Sequence, residues 1–337
     1  MQYQNGSARL YDNHGRQINY LRLAVTDRCN LRCFYCMPES GIEYVDREDL
    51  LSYEEMYRLI TLLAAMGIDK VRITGGEPFV RRGMMDFLEQ LCQIEGIRQV
   101  HITTNGTLTE ALVPQLKAIG IHAVNLSLDT LDSDRFFQIT RRDNFQAVQQ
   151  TLQALLQHNM EVKTNTVVMA GRNTEDIIPM ARLTQEHPIS VRFIEEMPFN
   201  GEGRQEEAAF WDFRQILAHL KAHFPQIEKL PDPPHSTAYH YRIPGYKGKI
   251  GIIAAYSRTF CGTCNRIRLT PTGMLKTCLY DDGVFNVRDL MRAGASDIQL
   301  QEAFLDALSN RAKDGKEAEM RRQINHPISE SMSTIGG

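Results

Sequence analysis

Three thiols fall within eight residues of this chain, in Cys29-Asn30-Leu31-Arg32-Cys33-Phe34-Tyr35-Cys36, at CxxxCxxC spacing. A run this tight wraps one soft metal centre but offers it only three protein ligands. A closed structural zinc site takes four, usually all from protein. A [4Fe-4S] cluster has four irons, so three cysteines leave one iron open to a ligand that is not protein. The expected occupant is a small-molecule cofactor, and chemistry is expected to start there.

Cys261, Cys264 and Cys278 form a second group of three, and Cys92 stands alone in a segment of helical character. Two odd-numbered groups argue for metal rather than for a disulfide framework. Cys92 reads as a small buried core residue. With 42% apolar and 23% charged residues the composition is that of an ordinary soluble globular protein. A net charge of −3 makes no general case for a nucleic-acid or membrane partner. Residues 1–19 lack the apolar core of a signal peptide, and no long apolar run follows, so a cytoplasmic location is expected.

The length of 337 residues suggests about two domains. After a polar tail to about residue 16, a strand over 18–26 runs directly into the first cysteine loop. Ser52-x-x-Glu55 is a capping box that opens a helix over 53–66. Strands over 71–74, 100–104, 123–128, 162–169 and 191–196 then alternate with helices over 84–94, 110–119, 145–158 and 175–186. That alternation implies βα units and a parallel sheet, open or curled toward a barrel. A second region follows Asn200-Gly201-Glu202-Gly203. It opens with an amphipathic helix over 207–223, which carries the only tryptophan, Trp211. Antiparallel strands are expected within 239–257, and helices near 287–292 and 298–311.

One face of each barrel strand should pack on helices and be apolar. The alternate positions here are polar: Arg22, Arg72, Thr103, Asn125 and Ser127, Lys163 and Asn165, and Arg192. Burying cations without partners is costly. An anionic ligand bearing phosphate or carboxylate would satisfy them. An internal ion-pair network with Glu77, Glu195 and Glu196, or an open sheet face, would do so as well. Near the second cysteine group, Arg266 and Arg268 lie two apart on an expected strand and put two guanidiniums on one face. That group suits a cluster with an open iron. His235 or His240 could instead complete a zinc site, and Cys261-x-x-Cys264 could be a redox pair.

CxxxCxxC with Tyr35 before the last cysteine resembles the signature of radical S-adenosylmethionine enzymes. Gly75-Gly76-Glu77-Pro78 resembles their methionine-binding turn. Val25-Thr26-Asp27-Arg28-Cys29-Asn30, Arg72-Ile73-Thr74-Gly75-Gly76-Glu77-Pro78, Thr103-Thr104-Asn105-Gly106, Asn125-Leu126-Ser127-Leu128-Asp129 and Arg192-Phe193-Ile194-Glu195 follow in the order found in one family. So do Cys261-x-x-Cys264-x-Arg266-x-Arg268 and the terminal Gly336-Gly337. That family is the GTP 3′,8-cyclases of molybdenum-cofactor biosynthesis.

The resemblance implies an α/β fold: an incomplete six-unit (βα) barrel over 17–200, preceded by a tail over 1–16. A C-terminal α+β extension over 201–325 would close the barrel mouth and carry a second cluster. A flexible tail over 326–337 would follow. The implied cofactors are two [4Fe-4S] clusters and S-adenosylmethionine. Cys29, Cys33 and Cys36 would hold the first cluster, and Cys261, Cys264 and Cys278 the second. Tyr35, Gly76, Ser127 and Met197 would contact S-adenosylmethionine. Arg22, Arg72, Thr103, Lys163, Arg266, Ile267 and Arg268 would bind GTP. Gly336 and Gly337 would reach the active site, against the default of a frayed terminus.

The implied reaction gives (8S)-3′,8-cyclo-7,8-dihydroguanosine 5′-triphosphate. It needs a cellular electron donor, and its product goes on to cyclic pyranopterin monophosphate synthase; a homodimer is in keeping with the family. Two other readings compete. A radical peptide-modifying enzyme would carry more C-terminal cysteines than the three present. A zinc-stabilised binding module would be colourless.

Overall fold

The structure, a computed structural model, describes residues 9–197, 210–321 and 331–335. Its frame is a run of βα units. β1 (Tyr20–Ala24) is followed by α1 (Tyr53–Ala65), β2 (Lys70–Thr74), α2 (Met84–Cys92) and β3 (Gln99–Thr104). Then come α3 (Val113–Ala118), β4 (Ala123–Ser127), α4 (Ser133–Thr140), α5 (Phe145–Gln157), β5 (Glu161–Val168), α6 (Ile177–Glu186) and β6 (Ser190–Glu195). The six strands pair in chain order and all run parallel. The capping box is formed as expected: Glu55 N–H bonds the Ser52 side chain, and the Glu55 carboxylate takes the Ser52 N–H. Helix α4 was not foreseen. It is short, and its sequence signal is a single N-cap, Asp132, which accepts from Arg135 N–H.

The extension joins the same sheet. It supplies α7 (Phe213–His223), β7 (Glu228–Lys229), β8 (Ala238–Arg242), β9 (Lys249–Ile253), β10 (Arg266–Leu269), β11 (Met274–Lys276) and β12 (Phe285–Asn286). α8 (Val287–Arg292), α9 (Asp297–Ser309), α10 (Gly315–Arg321) and α11 (Met332–Ile335) complete the described chain. β10 lies parallel against β1, with Tyr20 opposite Arg266, and β9 lies parallel against β6, with Ser190 opposite Lys249. Both edges of the six-strand array, which would otherwise expose unpaired backbone groups, are thereby covered. The expected antiparallel pair is β8 with β9, while β11 and β12 extend the other edge.

The pleat separates two chemistries. Leu21, Leu23, Val71, Ile73, Val100, Ile102, Val124 and Leu126 point to the helices and are at most 4% exposed. The alternate positions face a lumen. No helix among the described residues is long and apolar enough to cross a membrane.

Both expected tails are packed where they are described. Residues 10–18 form a small hairpin in which Ile18 N–H bonds Leu10 O at 2.9 Å and Tyr11 bridges Gln17. Leu10 is fully buried, and its N–H bonds Met66 O at the end of α1. At the other end, Ile335 packs with Tyr280, Ala312 and Ala318. Residues 1–8, 326–330, Gly336 and Gly337 lie outside the described residues.

Candidate active site

All six grouped cysteines line one cavity, and none is in a disulfide. The topology explains how. The Cys29 loop leaves the C-terminal end of β1, whereas Cys264 precedes the N-terminal end of the parallel neighbour β10. The two groups therefore sit at opposite ends of the lumen. Strand β11 returns antiparallel, with Lys276 opposite Arg268, and so delivers Cys278 back toward Cys264.

The first loop is stapled by its neighbours. Gly76 N–H bonds Thr26 O at 2.8 Å, and Glu77 N–H bonds Arg28 O at 2.9 Å. The approach leaves no space for side chains: a Cβ on Gly75 would lie 2.3 Å from Thr26 O, and one on Gly76 2.2 Å from Arg28 O. Gly75 also has φ +136°, a conformation that favours glycine. The fully buried Glu77 carboxylate accepts from Thr104 Oγ1, Asn105 N–H and Phe79 N–H, tying the turn after β2 to the turn after β3. Burial pushes its pKa up to about 7, with those three donors opposing. Asn105 Nδ2 lies 3.7 Å from Cys29 Sγ and 2.9 Å from Asn30 Oδ1. From the other side, Arg32 and Phe34 donate their N–H groups to Thr140 O and Ile139 O at the end of α4. Tyr35 donates to Asp129.

The second group rests on charged side chains. Arg266 Nη1 and Arg311 Nη2 reach Cys264 Sγ at 3.7 and 3.3 Å. Asp281 Oδ2 accepts the N–H groups of Thr277 and Cys278. The thiols differ accordingly. Burial raises Cys29 to about 11 and Cys278 to about 12. Burial would also raise Cys264, but the Arg266 and Arg311 guanidiniums outweigh it and bring the thiol down to about 7.

Between the two ends the wall is cationic. Arg22, Arg72, Arg192, Arg266 and Arg268 all line the cavity. Arg22, Arg72 and Arg192 form no ion pair among the described residues, and their Nε atoms, with Thr103 Oγ1 and Asn165 Oδ1, are buried without hydrogen-bond partners. Glu77 and Glu195 do not neutralise them: Glu77 is engaged as above, and Glu195 accepts from Ser257 and Phe213 N–H. Tyr35, Gly76, Thr103, Ser127 and Met197 also line the wall.

Two expected contacts are placed differently. Lys163 lies off the cavity lining, its Nζ 2.5 Å from Glu161 Oε1. Ile267 is 1% exposed and points into the apolar core, because it alternates with Arg266 and Arg268 on the pleat. Its main chain alone is on offer. The two histidines weighed for zinc are engaged elsewhere: His235 Nδ1 with Thr263 O, and His240 Nδ1 with Asp232. Among the described residues no three His, Cys, Asp or Glu side chains converge as they would on one zinc ion. Sequence reasoning missed the roles of Asn105, Asp129 and Arg311. The first two lie inside quoted motifs; Arg311 lies in none.

Three thiols at the end of β1, a double-glycine turn that only glycine can occupy and a lumen of unpaired buried donors define a radical S-adenosylmethionine protein. The Radical SAM superfamily model matches residues 23–184, and the Molybdenum Cofactor Synthesis C model residues 189–317. The GTP 3′,8-cyclase of Moorella thermoacetica is 40% identical over 330 residues, which is 97% of this chain and 100% of that one. The GTP 3′,8-cyclase of Syntrophomonas wolfei is 40% identical over 303 residues, 89% of this chain and 92% of that one. Molybdenum cofactor biosynthesis protein 1 of Bos taurus is 42% identical over 301 residues, 87% of this chain and 46% of that one; the chain thus spans about half the length of such animal relatives. The chain belongs to the GTP 3′,8-cyclase family.

Among solved structures, SuiB of Streptococcus suis superposes with a TM-score of 0.58 at 15% identity, over 88% of this chain and 67% of that one. The protein anSMEcpe with bound AdoMet and Cp18Cys peptide gives 0.55 at 13%, over 91% and 84%. These likenesses speak for the fold alone. The superfamily works with a [4Fe-4S] cluster and S-adenosylmethionine, and the donor set fits: Cys29, Cys33 and Cys36 line one cavity and offer three thiols to a four-iron cluster.

Proposed function

We propose that this chain converts GTP to (8S)-3′,8-cyclo-7,8-dihydroguanosine 5′-triphosphate in molybdenum-cofactor biosynthesis. The observation that carries this reading is a single cavity lined by both three-thiol groups and seven arginines. Cys29, Cys33 and Cys36 hold the first cluster, and Tyr35, Gly76, Ser127 and Met197 contact S-adenosylmethionine. Cys261, Cys264 and Cys278 hold a second [4Fe-4S] cluster, with GTP between the two. Held by these residues and given one electron by a cellular donor, the first cluster and S-adenosylmethionine would together supply hydrogen-abstracting radical chemistry to the ribose of GTP.

The chain's own residues supply the pose. Arg72, buried, and Arg22 and Arg192, partly buried, form no ion pair among the described residues and offer their donors to the triphosphate, and Arg266 and Arg268 hold the end near the second thiol group. Thr103 adds a hydroxyl without another partner. Lys163 acts from the lumen edge after leaving Glu161. Met332 and Ser333 line the same cavity and help to exclude water. Gly336 and Gly337, which lie outside the described residues and follow Ile335 in sequence, complete the active site in this reading. The product passes to cyclic pyranopterin monophosphate synthase.

The test is an anaerobic assay of reconstituted protein with S-adenosylmethionine, dithionite and GTP. The cyclised nucleotide is the expected product. Formation of 5′-deoxyadenosine without it would refute the substrate while leaving the superfamily chemistry intact.

A further inference from the structure

The second cysteine group is gripped by an ion pair formed between the start and the end of the chain. Asp12 has a fully buried side chain, that of Arg311 is 2% exposed, and Arg311 Nη1 lies 3.1 Å from Asp12 Oδ2. The remaining donors of Arg311 all go to the cysteine segments. Nε donates to Thr277 O at 3.0 Å, Nη1 to Cys264 O at 3.0 Å, and Nη2 to Arg266 O at 2.8 Å and Cys264 Sγ at 3.3 Å. Asp12 is fixed in turn by the N–H groups of His14 and Arg16 and by Arg16 Nε at 2.6 Å. Arg16 then reaches Cys261 O at 3.1 Å and Ala312 O at 3.0 Å. Each of the three cysteines is thus one guanidinium away from the Asp12 carboxylate: Cys261 through Arg16, Cys264 through Arg311, and Cys278 through its neighbour Thr277 on Arg311.

A buried ion pair is a weak source of stability, since desolvation consumes most of its attraction. Its value here is geometric. The thiols come from two separate segments, and a three-ligand site loses affinity steeply if either drifts. A guanidinium with five donors in a rigid fork can lock both segments to one carboxylate. The N–H···S contact adds a second effect. Hydrogen bonds to cluster sulfurs disperse their negative charge and raise the reduction potential.

We propose that Asp12 and Arg311 are positioning residues of the second metal centre, with Arg311 also setting its potential through Cys264. This rests on the reading that Cys261, Cys264 and Cys278 hold a [4Fe-4S] cluster. The hairpin over residues 10–18 is then a strap that the second centre needs in order to assemble.

The test uses full-length Arg311→Lys and Asp12→Asn, reconstituted anaerobically beside the wild type. Iron per chain, EPR-monitored redox titration and 5′-deoxyadenosine formation are measured together. The wild type should hold about eight irons, four for each cluster. Asp12→Asn should fall to about four, with the first centre's signal and 5′-deoxyadenosine formation kept within twofold. Arg311→Lys should shift the second centre to lower potential and reduce cyclised product tenfold or more. Full iron with unchanged potentials in both variants would overturn the proposal. So would loss of both centres together in Asp12→Asn, which would mark a general folding role. If Arg311→Lys does not fold, Asp12→Asn decides alone on the same criteria. A wild type with only about four irons would instead sink the second-cluster reading itself.

Discussion

The Tyr35 hydroxyl donates a 2.8 Å hydrogen bond to Asp129 Oδ2, joining the first cysteine loop to the segment that leaves β4. The other carboxylate oxygen accepts Val167 N–H from β5 at 2.8 Å. A loop outside the sheet is thereby indexed to two of its strands. Tyr35→Phe should leave Asp129 with one partner and reduce stability by about 1 kcal/mol. Iron should still load, but a chelator should remove it from the first centre faster than from the wild type. Identical release curves would show that the bond does not hold the loop.

Glu77 should make stability depend on pH. Its folded pKa of about 7 lies above the ordinary 4.5 because the carboxyl is buried. Folding therefore favours its protonated form. That contribution is complete below about 4.5 and is lost as pH rises through about 7. The melting temperature of the wild type should fall between pH 5 and 8, with about 3 kcal/mol at stake. Glu77→Gln should flatten that slope, while starting lower at pH 5 by about 1–3 kcal/mol because one of three donors loses its acceptor. Parallel slopes in the two proteins would contradict the assignment.

Gly76→Ala should separate the double-glycine turn from the cysteine loop, since its Cβ would meet Arg28 O at 2.2 Å. The expected result is a first centre without iron in a chain that still folds. Gly15→Ala is the control: it has φ +72° and nothing within 4 Å of the added carbon. It should carry only backbone strain of about 1–2 kcal/mol and keep its iron. Iron analysis of both variants distinguishes contact from strain.

Arg72 is a cation retained against stability. Burial and the neighbouring Arg192 and Arg266 lower its pKa, with Tyr20 opposing, and it has no ion pair among the described residues. Arg72→Met should raise the stability of nucleotide-free protein by about 1 kcal/mol or more. The same change should weaken GTP binding at least tenfold, measured by equilibrium dialysis. A variant less stable than the wild type would mean that Arg72 has a structural partner instead.

The features that could be read from sequence are those encoded locally. Ligand counting at Cys29, Cys33 and Cys36 needs only spacing. The alternation of Arg22 with Leu21 and Leu23 needs only the two-residue period of a strand. The same period places Ile267 on the apolar face, opposite to Arg266 and Arg268, although resemblance grouped the three. What could not be read depends on distant partners. Nothing near residue 266 indicates that β10 pairs with β1. Nothing in residues 10–18 shows that Asp12 meets Arg311. Helix α4 escaped because eight residues give too short a window for a helical period.

Strand β1 lies between β2 and β10, so the first strand made is completed by residues 266–269. During synthesis the barrel cannot acquire its full set of parallel neighbours until about four-fifths of the chain has emerged. Long-range pairing of this kind slows folding and leaves an open strand edge exposed meanwhile. A chain stopped after β6 would keep the first three thiols but leave β1 bare on one side. The order of translation thus makes the two cysteine groups contemporaries: the fold that encloses the first is finished by the strand that follows Cys264.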